Sequence, residues 1–267
     1  MAPKTISVTA FRRERSFNRF SPDLHAADRD RKKCVMSRRP GNPSRRFGGL
    51  GGINKVALSR IDGEMTCTSE VSRTLAYLNK AYGDSMHRVL HVGPDSCSVV
   101  AKFLKEEETE AWGVEPYDIE DADVNCKSLV HRGVVRVADI KFPLPYRPKS
   151  FSLTVVSDAT DYLSPRYLNK TLPELARVSS DGLIIFTGSP GQSKAKVTEL
   201  SKFGRPVSLI RSSAPSRAKM RSSTWWSRFF NQISLEENEG ANKKFQQAVT
   251  KDGYKPKCQI FHLKSYH

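Results

Sequence analysis

Four short apolar segments near the middle of the chain, separated by similar intervals, most constrain how these 267 residues can fold. The first segment, Arg88 to Val92, ends at Gly93, and each of the next three leads to a carboxylate. These carboxylates belong to Glu115, Asp139 and Asp158. Successive parallel strands that end at one edge of a sheet give such a pattern, and ligands of such sheets bind beyond the carboxyl ends of the strands. The pattern therefore predicts a site for a nucleotide-type ligand at that edge.

The segments between the apolar runs have the periodicity of amphipathic helices. In the first of them, Val71, Leu75 and Leu78 fall on one stripe. Helices are predicted over residues 68–82, 94–105, 121–131 and 164–178, and a fifth strand over residues 183–186. Pro173 lies inside the last helical pattern, where it is expected to bend or split the helix. The predicted fold class is α/β, with a doubly wound, mostly parallel, Rossmann-like sheet.

Basic residues are concentrated at the two ends of the chain, which has a formal net charge of +16. Residues 1–60 contain 15 Lys and Arg against 4 Asp and Glu, and residues 188–267 contain 15 against 5. Between them, residues 61–187 contain 14 against 19. A basic surface attracts nucleic acid, anionic lipid and acidic polysaccharide alike, and residues 1–60 fit a solubilising tail no less well.

The composition divides the chain into two parts. Residues 1–62 are poor in apolar side chains and are predicted to be a disordered basic N-terminal segment. Residues 63–267 are predicted to be one domain, with a cofactor-binding half at 63–187 and a basic C-terminal part at 188–267. No run approaches the ~20 apolar residues that span a bilayer, so no membrane anchor is expected in this chain.

Five cysteines are scattered along the chain without a pair at metal-ligand or redox spacing. Neither a zinc site nor a disulfide framework is therefore predicted, and no metal is expected. Cys97 and Cys126 fall on the apolar faces of predicted helices, where buried free thiols are the ordinary explanation.

The carboxylate after the second strand is the strongest candidate for cofactor binding. The interval from Gly93 to Glu115 fits the ~20-residue separation at which an acidic residue binds a ribose hydroxyl pair. Alternatively, Glu115 caps the helix that follows Tyr117 and Asp118. His91 and Gly93, at the end of the first strand, are also predicted to bind the cofactor.

The ends of the third and fourth strands carry further candidates. Asp139 is predicted to lie near an adenine amino group, and the alternative is a turn residue before Phe142. Asp158 is predicted to be both a cofactor-binding and a catalytic residue, because the chemical group that is transferred in the reaction would lie beyond the fourth strand. Tyr162 is the second catalytic candidate. Asp161 serves equally well as the cap of the next helix.

Residues 88–186 resemble the class I, S-adenosylmethionine-dependent methyltransferase domain. In that superfamily the motif V-L-x-V-G opens the cofactor loop, as residues 89–93 do here, and an acidic residue ends the second strand, as Glu115 does. Residues 138–145 and 150–153 have the layout of the superfamily's motif after the third strand. The resemblance implies S-adenosylmethionine as the cofactor. The loop differs in one respect, because Gly93 is its single glycine where the superfamily has several.

More narrowly, three segments resemble the plant cotton-Golgi-related family of pectin methyltransferases. They cover residues 82–86 (YGDSM), 112–118 (WGVEPYD) and 223–230 (STWWSRFF). The resemblance extends from Gly63 to the C-terminus. It implies a carboxyl O-methyltransferase that methylesterifies homogalacturonan in the Golgi apparatus, contributing to plant cell-wall biogenesis. Members of that family carry an N-terminal membrane anchor, which this chain is expected to lack, as a soluble or truncated form.

The implied reaction needs cations more than it needs a base. A galacturonate carboxylate is already ionised near neutral pH, so it can attack a sulfonium methyl group without a general base. Four basic residues of the C-terminal part are predicted to hold the substrate, and the alternative is a solvated basic face. They are Arg205, Lys219, Arg221 and Arg228. Four aromatic residues nearby either stack on sugar rings or, at helical spacing, pack in the core. They are Trp225, Trp226, Phe229 and Phe230.

Two other functions remain open at this point. A non-catalytic methyltransferase-like scaffold would organise Golgi wall-synthesis enzymes, with a single-glycine loop that no longer supports turnover. A nucleic-acid methyltransferase would use the basic ends, but no aromatic-basic RNA motif accompanies them, so no nucleic-acid partner is expected. The expected partners are homogalacturonan, as an acidic polysaccharide substrate, and other Golgi wall-synthesis enzymes.

Overall fold

The computed structural model describes residues 67–116, 122–194 and 217–265. The basic segment 1–62, its boundary with the domain and the substrate-binding candidate Arg205 lie outside these described residues. The helices are α1 (Cys67–Tyr82), α2 (Ser96–Phe103), α3 (Val124–His131), α4 (Pro165–Val178), α5 (Ser223–Gln232) and α6 (Glu239–Lys251). The strands are β1 (Arg88–Val92), β2 (Glu110–Glu115), β3 (Val135–Val137), β4 (Phe151–Ser157), β5 (Ser179–Thr187) and β6 (Gln259–Leu263). Short 3₁₀ turns, Gly83–His87 and Ala159–Tyr162, precede β1 and follow β4.

The described strands form one sheet in the order β3-β2-β1-β4-β5-β6. Strands β1 to β5 run parallel, and β6 is antiparallel to β5. Strand order reverses between β1 and β4, so the crevice at their carboxyl ends is where ligands of doubly wound sheets bind. The predicted fold class, a doubly wound and mostly parallel Rossmann-like sheet, is confirmed.

Alternate residues of the central strands contribute to two separate cores. On one face of the sheet, Leu90 of β1 and Val156 of β4 pack with α4 and α5, including the fully buried Trp226. On the other face, Val89 and Leu153 pack with α1, α2 and α6. Successive side chains of a strand point to opposite faces, so strands that are apolar at nearly every position need cover on both. The helices on the two faces provide that cover.

The fourth helix is a single element despite its internal proline. The split expected at Pro173 is wrong, because α4 runs without interruption from Pro165 to Val178. A proline here removes the amide donor to the carbonyl of Asn169. Asn169 is exposed, so water can satisfy that carbonyl. The buried Leu172 and Leu175 hold the helix against the sheet on its other side.

Two disulfide bonds correct the expectation of free thiols. One joins Cys67, the first residue of α1, to Cys258, just before β6, with Cα atoms 5.8 Å apart. The other joins Cys97 of α2 to Cys126 of α3, with Cα atoms 5.2 Å apart. The partners are 191 and 29 positions apart in sequence, so their proximity depends on the arrangement of the elements, which cysteine spacing does not reveal. Within the described ranges, no group of three His, Cys, Asp or Glu side chains could hold a metal ion.

A sixth strand extends the sheet beyond the five that the sequence predicted. β6 pairs with β5 over the register from Leu183 opposite Leu263 to Thr187 opposite Gln259. Its five residues mix polar and apolar side chains, and so short a pattern does not distinguish a strand from a loop. Pairing with β5, not local sequence, makes this segment a strand.

Candidate functional site

The turn after β1 packs closely against the end of β4. Gly93 N donates to Val114 O at 3.1 Å, which holds the turn beside β2. A Cβ atom at Gly93 would lie 2.4 Å from the backbone oxygen of Ser157 and 2.7 Å from its Oγ. Only glycine fits at such distances, because it alone lacks this atom. Gly93 is therefore required for packing at the point where strand order reverses, and its contact with a cofactor stays a prediction.

His91 lies beneath this turn with 0% of its surface exposed. Its Nδ1 is 2.9 Å from Ser96 Oγ, and its Nε2 is 2.9 Å from Ser157 Oγ. Ser96 Oγ also lies 2.8 and 2.9 Å from the carbonyl oxygens of Gly93 and Val114. The single hydroxyl proton of Ser96 is directed to those carbonyls. We therefore assign the Nδ1–H tautomer to His91, with Nδ1–H donating to Ser96 and Nε2 accepting from Ser157.

Burial determines the charge state of His91 and which groups can reach its ring. Burial lowers the pKa of His91 to about 3, so the ring is neutral at physiological pH. Both ring nitrogens are bonded to serines and no part of the ring is exposed. In this structure the ring lies in a supporting position beneath the Gly93 turn, and its predicted cofactor contact stays a prediction. Ser96 and Ser157 were missed in the sequence, because isolated serines form no recognisable pattern.

Glu115, the last residue of β2, has its carboxylate beside the same turn and is only 4% exposed. Its Oε2 accepts a hydrogen bond from Ser96 N, at the start of α2, at 3.1 Å. A carboxylate is stabilised there, because the first amides of a helix have no partner within the helix and carry partial positive charge. The structure thus brings Glu115 and Gly93 together, and ribose binding by Glu115 stays a prediction. The alternative cap, of a helix after Tyr117, falls outside the described residues.

Asp139 has the turn role that the sequence left open. Its Oδ1 accepts from Lys141 N at 3.0 Å, and its carbonyl oxygen accepts from Phe142 N at 3.2 Å. The Lys141 ammonium lies 3.6 Å from Asp139 Oδ2. These contacts shape the turn that follows β3, and adenine binding by Asp139 stays a prediction.

Asp158 holds the start of α1. Its Oδ1 accepts from Cys67 N at 3.0 Å and its Oδ2 from Thr68 N at 2.8 Å. Thr68 Oγ1 lies 2.9 Å from the same Oδ2 and 2.7 Å from Ser157 Oγ, which joins Asp158 to the cluster around His91. The backbone of Asp158 has a φ of 55°. Such left-handed conformations cost about 1–3 kcal/mol in residues other than glycine and persist where surrounding contacts impose them.

A buried lysine lies between two carboxylates of the segment that follows β4. Lys194 Nζ is 2.5 Å from Asp161 Oδ2 and also pairs with Asp158 Oδ1, and its side chain is 4% exposed. Burial acts to lower the pKa of Lys194, but the charges of Asp158 and Asp161 outweigh burial, so the pKa is raised and the amine is protonated. Asp161 also accepts from Gly188 N at 3.0 Å and from Thr187 Oγ1.

The carboxylates that follow β4 make their contacts within the protein. Asp161 is not the cap of α4, because Ser164 occupies that position and the Asp161 carboxylate bonds to the segment after β5. The Asp158 carboxylate is engaged by α1 and Lys194, and its catalytic and cofactor-binding roles stay predictions. Tyr162, 7% exposed in the neighbouring 3₁₀ turn, likewise keeps its catalytic role as a prediction. Lys194 was missed, because a lone lysine in a basic segment has no distinguishing spacing.

The predicted substrate-binding cations fall into two groups. Arg221 is 8% exposed, and its guanidinium donates to Leu163 O at 2.6 Å and lies 4.7 Å from the ring centre of Trp225. Arg221 therefore holds the 3₁₀ turn against α5, and its predicted substrate contact stays a prediction. Lys219 and Arg228 are exposed.

The aromatic residues of α5 mostly confirm the core-packing alternative. Trp226 is 0% exposed, Phe230 1% and Phe229 6%. Trp225 differs, because it is half-buried, with its ring stacked on Phe229 at a centroid distance of 4.9 Å. Three of the four rings thus belong to the core, and the fourth reaches the surface.

Solved structures similar to the chain include methyltransferases of low sequence identity. Magnesium protoporphyrin IX methyltransferase from Synechocystis PCC 6803 is 8% identical, with a TM-score of 0.46 covering 74% of this chain and 79% of that chain. The O-methyltransferase NcsB1 from neocarzinostatin biosynthesis is 13% identical, with a TM-score of 0.46 covering 74% of this chain and 56% of that chain. No protein-family model matches the chain.

Two curated proteins of Arabidopsis thaliana are far more similar in sequence. "Probable pectin methylesterase CGR3" is 67% identical over 210 residues, which make up 79% of this chain and 77% of that protein. "Probable pectin methylesterase CGR2" is 66% identical over 210 residues, which make up 79% of this chain and 76% of that protein. Identity this high over most of both chains confirms the family that the motifs at residues 82–86, 112–118 and 223–230 predicted. The chain belongs to the cotton-Golgi-related family, together with CGR2 and CGR3.

Proposed function

We propose that this protein is an S-adenosylmethionine-dependent methyltransferase that methylesterifies the galacturonate carboxylates of homogalacturonan. The substrate class is supported by the family, since both relatives carry the word pectin in their names. The observation that carries the reaction type is the position of Glu115. Its carboxylate lies beside the Gly93 turn, at the carboxyl ends of two parallel strands, where nucleoside-containing cofactors bind in doubly wound sheets.

The residues at the β1–β2 edge fit S-adenosylmethionine. Glu115 places a buried carboxylate next to the turn, which is the group that a ribose hydroxyl pair requires. Asp139 follows the next strand of the sheet and is assigned to the adenine side. Gly93 keeps the turn against the end of β4. When bound, the cofactor supplies a methyl group carried on a positively charged sulfur.

Transfer to a carboxylate makes modest demands on the side chains of the protein. A uronate is ionised near neutral pH, so no residue has to remove a proton from it. The tasks of the protein are to hold the acceptor in line with the methyl group and to exclude water. We assign acceptor positioning to Tyr162 in the turn after β4. Asp158 contributes by fixing that turn through its bonds to α1 and Lys194.

The name of the relatives, methylesterase, describes hydrolysis, and a Ser–His pair does lie under the site. Ser157 Oγ is 2.9 Å from His91 Nε2, as a nucleophile and its base would be. However, Ser157 is 0% exposed, so an ester carbonyl cannot reach its hydroxyl. Burial also lowers the pKa of His91 to about 3, far below the range of an effective general base at neutral pH. This buried pair therefore does not provide the nucleophile and base of an esterase.

A labelling experiment with the purified chain tests the proposal. Polygalacturonate and S-adenosylmethionine with an isotopically labelled methyl group are incubated with the protein, and the label should enter the polymer and leave as methanol in mild alkali. In a parallel reaction without the cofactor, the protein is incubated with highly methylesterified pectin to test for ester hydrolysis. Methanol release there, with no label entering polygalacturonate, would overturn the transferase in favour of an esterase. Cofactor binding with neither reaction would overturn it in favour of a non-catalytic scaffold for wall-synthesis enzymes.

The proposal includes a location in the Golgi apparatus, which rests on the family resemblance. A fluorescent fusion of the full chain in plant cells should coincide with a Golgi marker. A signal spread through the cytosol would contradict this location. Among the described residues, no helix combines the length and apolar character needed to cross a bilayer.

A further inference from the structure

A groove of about 460 Å³ lies between α4 and α5, close to the carboxyl edge of the sheet. Both helices begin near the same 3₁₀ turn: α4 starts at Pro165, and Arg221, just before α5, donates to Leu163 O at 2.6 Å. The N-terminal ends of the two helices are therefore fixed next to the turn that follows β4. The groove is lined by Arg166, Asn169, Trp225, Arg228, Phe229 and Gln232, among others.

The groove combines cations, amides and an apolar wall along one direction. Arg166 and Asn169 are one turn apart on α4, and Trp225, Arg228 and Gln232 follow one another at helical spacing on α5. From residue 225 to residue 232 the helix rises about 10 Å, which is longer than one sugar ring. All four polar side chains of this set are exposed, and no carboxylate is among the lining residues. Within the described part of the chain, neither Arg166 nor Arg228 has an ion-pair partner.

The apolar wall of the groove is held rigidly from behind. The ring of Trp225 stacks on Phe229 with a centroid distance of 4.9 Å and an interplanar angle of 10°. The buried Arg221 guanidinium lies 4.7 Å from the centre of the same Trp225 ring. A surface whose aromatic residues are already fixed loses little side-chain entropy when a ligand binds.

A second groove, also beside α5, is larger than the first and differs from it in the charge of its lining. This second groove has a larger volume, about 690 Å³, and lies between the end of α5 and the start of α6. Its lining includes Glu236, Glu237 and Glu239 against the one cation Lys264. A polyanion is repelled by such a lining and attracted by a groove that has two arginines and no carboxylate.

We propose that the groove between α4 and α5 is a binding subsite for the acidic polysaccharide chain, separate from the place of methyl transfer. The assignment to homogalacturonan rests on the proposed function. The groove itself fits a polyuronate, because two separated guanidinium groups match widely spaced carboxylates and the amides of Asn169 and Gln232 can bond sugar hydroxyls on either side. Double-helical nucleic acid has a denser row of charges and is held by many more phosphate contacts. Arg166 and Arg228 would anchor the polymer while another of its sugars is methylated.

Direct binding of a fluorescently labelled long oligogalacturonate, measured without cofactor, tests this subsite. The double variant Arg166→Ala/Arg228→Ala should bind about 10-fold more weakly, the effect of losing two exposed charge-assisted contacts. The matched control is Arg132→Ala/Lys244→Ala, which removes two exposed cations from α3's end and α6 and changes the net charge equally. Equal weakening in both double variants would overturn the subsite, because it would show only the effect of overall charge. Unchanged melting temperatures in both verify that the fold is intact.

Competition and kinetics separate the subsite from its alternatives. A fully methylesterified oligomer should displace the label poorly, and single-stranded RNA should do so no better. Displacement by RNA with the same dependence on Arg166 and Arg228 would overturn the polysaccharide assignment. In the methyl-transfer assay, the arginine variant should raise KM for the long polymer more than the control double variant does. If the wild-type chain transfers no methyl group but still loses binding in the arginine variant, the proposed function fails and the subsite stands.

Discussion

The two halves of the sheet's carboxyl edge use their carboxylates differently. At β1 and β2, Glu115 lies beside the Gly93 turn and accepts the first amide of α2. At β4 and β5, Asp158 and Asp161 share the buried Lys194 and accept amides from α1 and from the segment after β5. The first half, called here the open half, borders the crevice where a ligand is expected. In the second half, the closed half, the carboxylates are bound by other groups of the protein. A carboxylate at a strand end is therefore not a ligand group by position alone.

The closed half is expected to matter most for stability, because it buries three charges together. Charges removed from water are tolerated only where opposite charges and hydrogen bonds replace hydration. Lys194 has two carboxylates, and these carboxylates accept amides from two separate segments. The cluster thus ties α1 and the segment after β5 to the end of β4. Removing Lys194 would leave two buried carboxylates without this cation, and removing one carboxylate breaks the hydrogen bonds that it accepts.

The largest effect is expected from Asp158→Asn, which preserves the shape of the side chain and tolerates the positive φ. This change leaves Lys194 with one carboxylate and weakens the bonds that the Asp158 carboxylate accepts from the first two amides of α1 and from Lys194. Each hydrogen bond to a charged group is worth about 1.5–3 kcal/mol, so the free energy of unfolding should fall by about 3–5 kcal/mol. Urea denaturation measures it, with the exposed Asp181→Asn as the matched control. The double variant Asp158→Asn/Lys194→Met should lose more stability still, because it leaves the buried Asp161 carboxylate without the Lys194 cation. A loss no greater than that of the control would show that the closed half is not a stabilising cluster.

The next effect is a dependence of stability on pH that originates beneath the turn between the two halves. Burial lowers the pKa of His91 to about 3, whereas the unfolded chain has the ordinary value of about 6.5. Below pH 6.5 the unfolded chain therefore binds a proton that the folded chain excludes, so stability falls as the pH falls. The slope approaches about 1.4 kcal/mol per pH unit well below pH 6.5, and the loss between pH 6.5 and 4.5 is about 2 kcal/mol. Burial also lowers the pKa of His262, to about 4, and this adds to the same trend.

Urea denaturation at several pH values isolates the contribution of His91. His91→Gln removes the titrating group, so its stability should fall less steeply with acid than that of the wild-type protein over this range. The exposed His131→Gln serves as the control and should have the wild-type slope. Parallel curves for His91→Gln and the wild-type protein would mean that His91 is not held neutral by burial.

A smaller loss of stability is expected from Gly93→Ala, where the two halves meet. The new Cβ atom would lie 2.4 Å from the backbone oxygen of Ser157, so β1 and β4 must move apart at their ends. Overpacking of this kind costs about 1–3 kcal/mol. The matched control is Gly240→Ala in α6, where a Cβ atom would lie 3.7 Å from Asn238 Oδ1, an ordinary contact, and alanine favours the helix. If both alanine variants have wild-type melting temperatures, the close approach at Gly93 is not required.

These contrasts also show which features the sequence made predictable. The strand ends were predictable, because apolar runs and the interval from Gly93 to Glu115 are local patterns. The partners of Asp158 were not, because Cys67 and Lys194 are 91 and 36 positions away from it. Their meeting depends on where α1 and the segment after β5 cross the sheet edge. Local sequence placed Asp158 correctly at a strand end and could not show that the protein itself occupies its carboxylate.

The same reasoning applies to the cations and the groove. Arg221 and Arg228 looked equivalent in a basic segment, but one faces the 3₁₀ turn and the other the solvent. Arg166 was not singled out, because its relation to Arg228 exists only once α4 and α5 pack side by side. Charge composition predicted a polyanion partner, and only tertiary packing showed which basic residues share a surface.

The smallest change in stability, with a large change in binding, is expected at the open half. Glu115→Gln preserves an oxygen that can accept the hydrogen bond from Ser96 N and removes the charge that a ribose hydroxyl pair favours. Affinity for S-adenosylmethionine, measured by isothermal titration, should fall by about 10- to 100-fold, since hydrogen bonds to charged groups are worth about 1.5–3 kcal/mol. Glu110→Gln, at the exposed start of the same strand, should leave affinity unchanged. If Glu115→Gln binds the cofactor as the wild-type protein does, Glu115 is a structural carboxylate like Asp158, and the contrast between the two halves disappears.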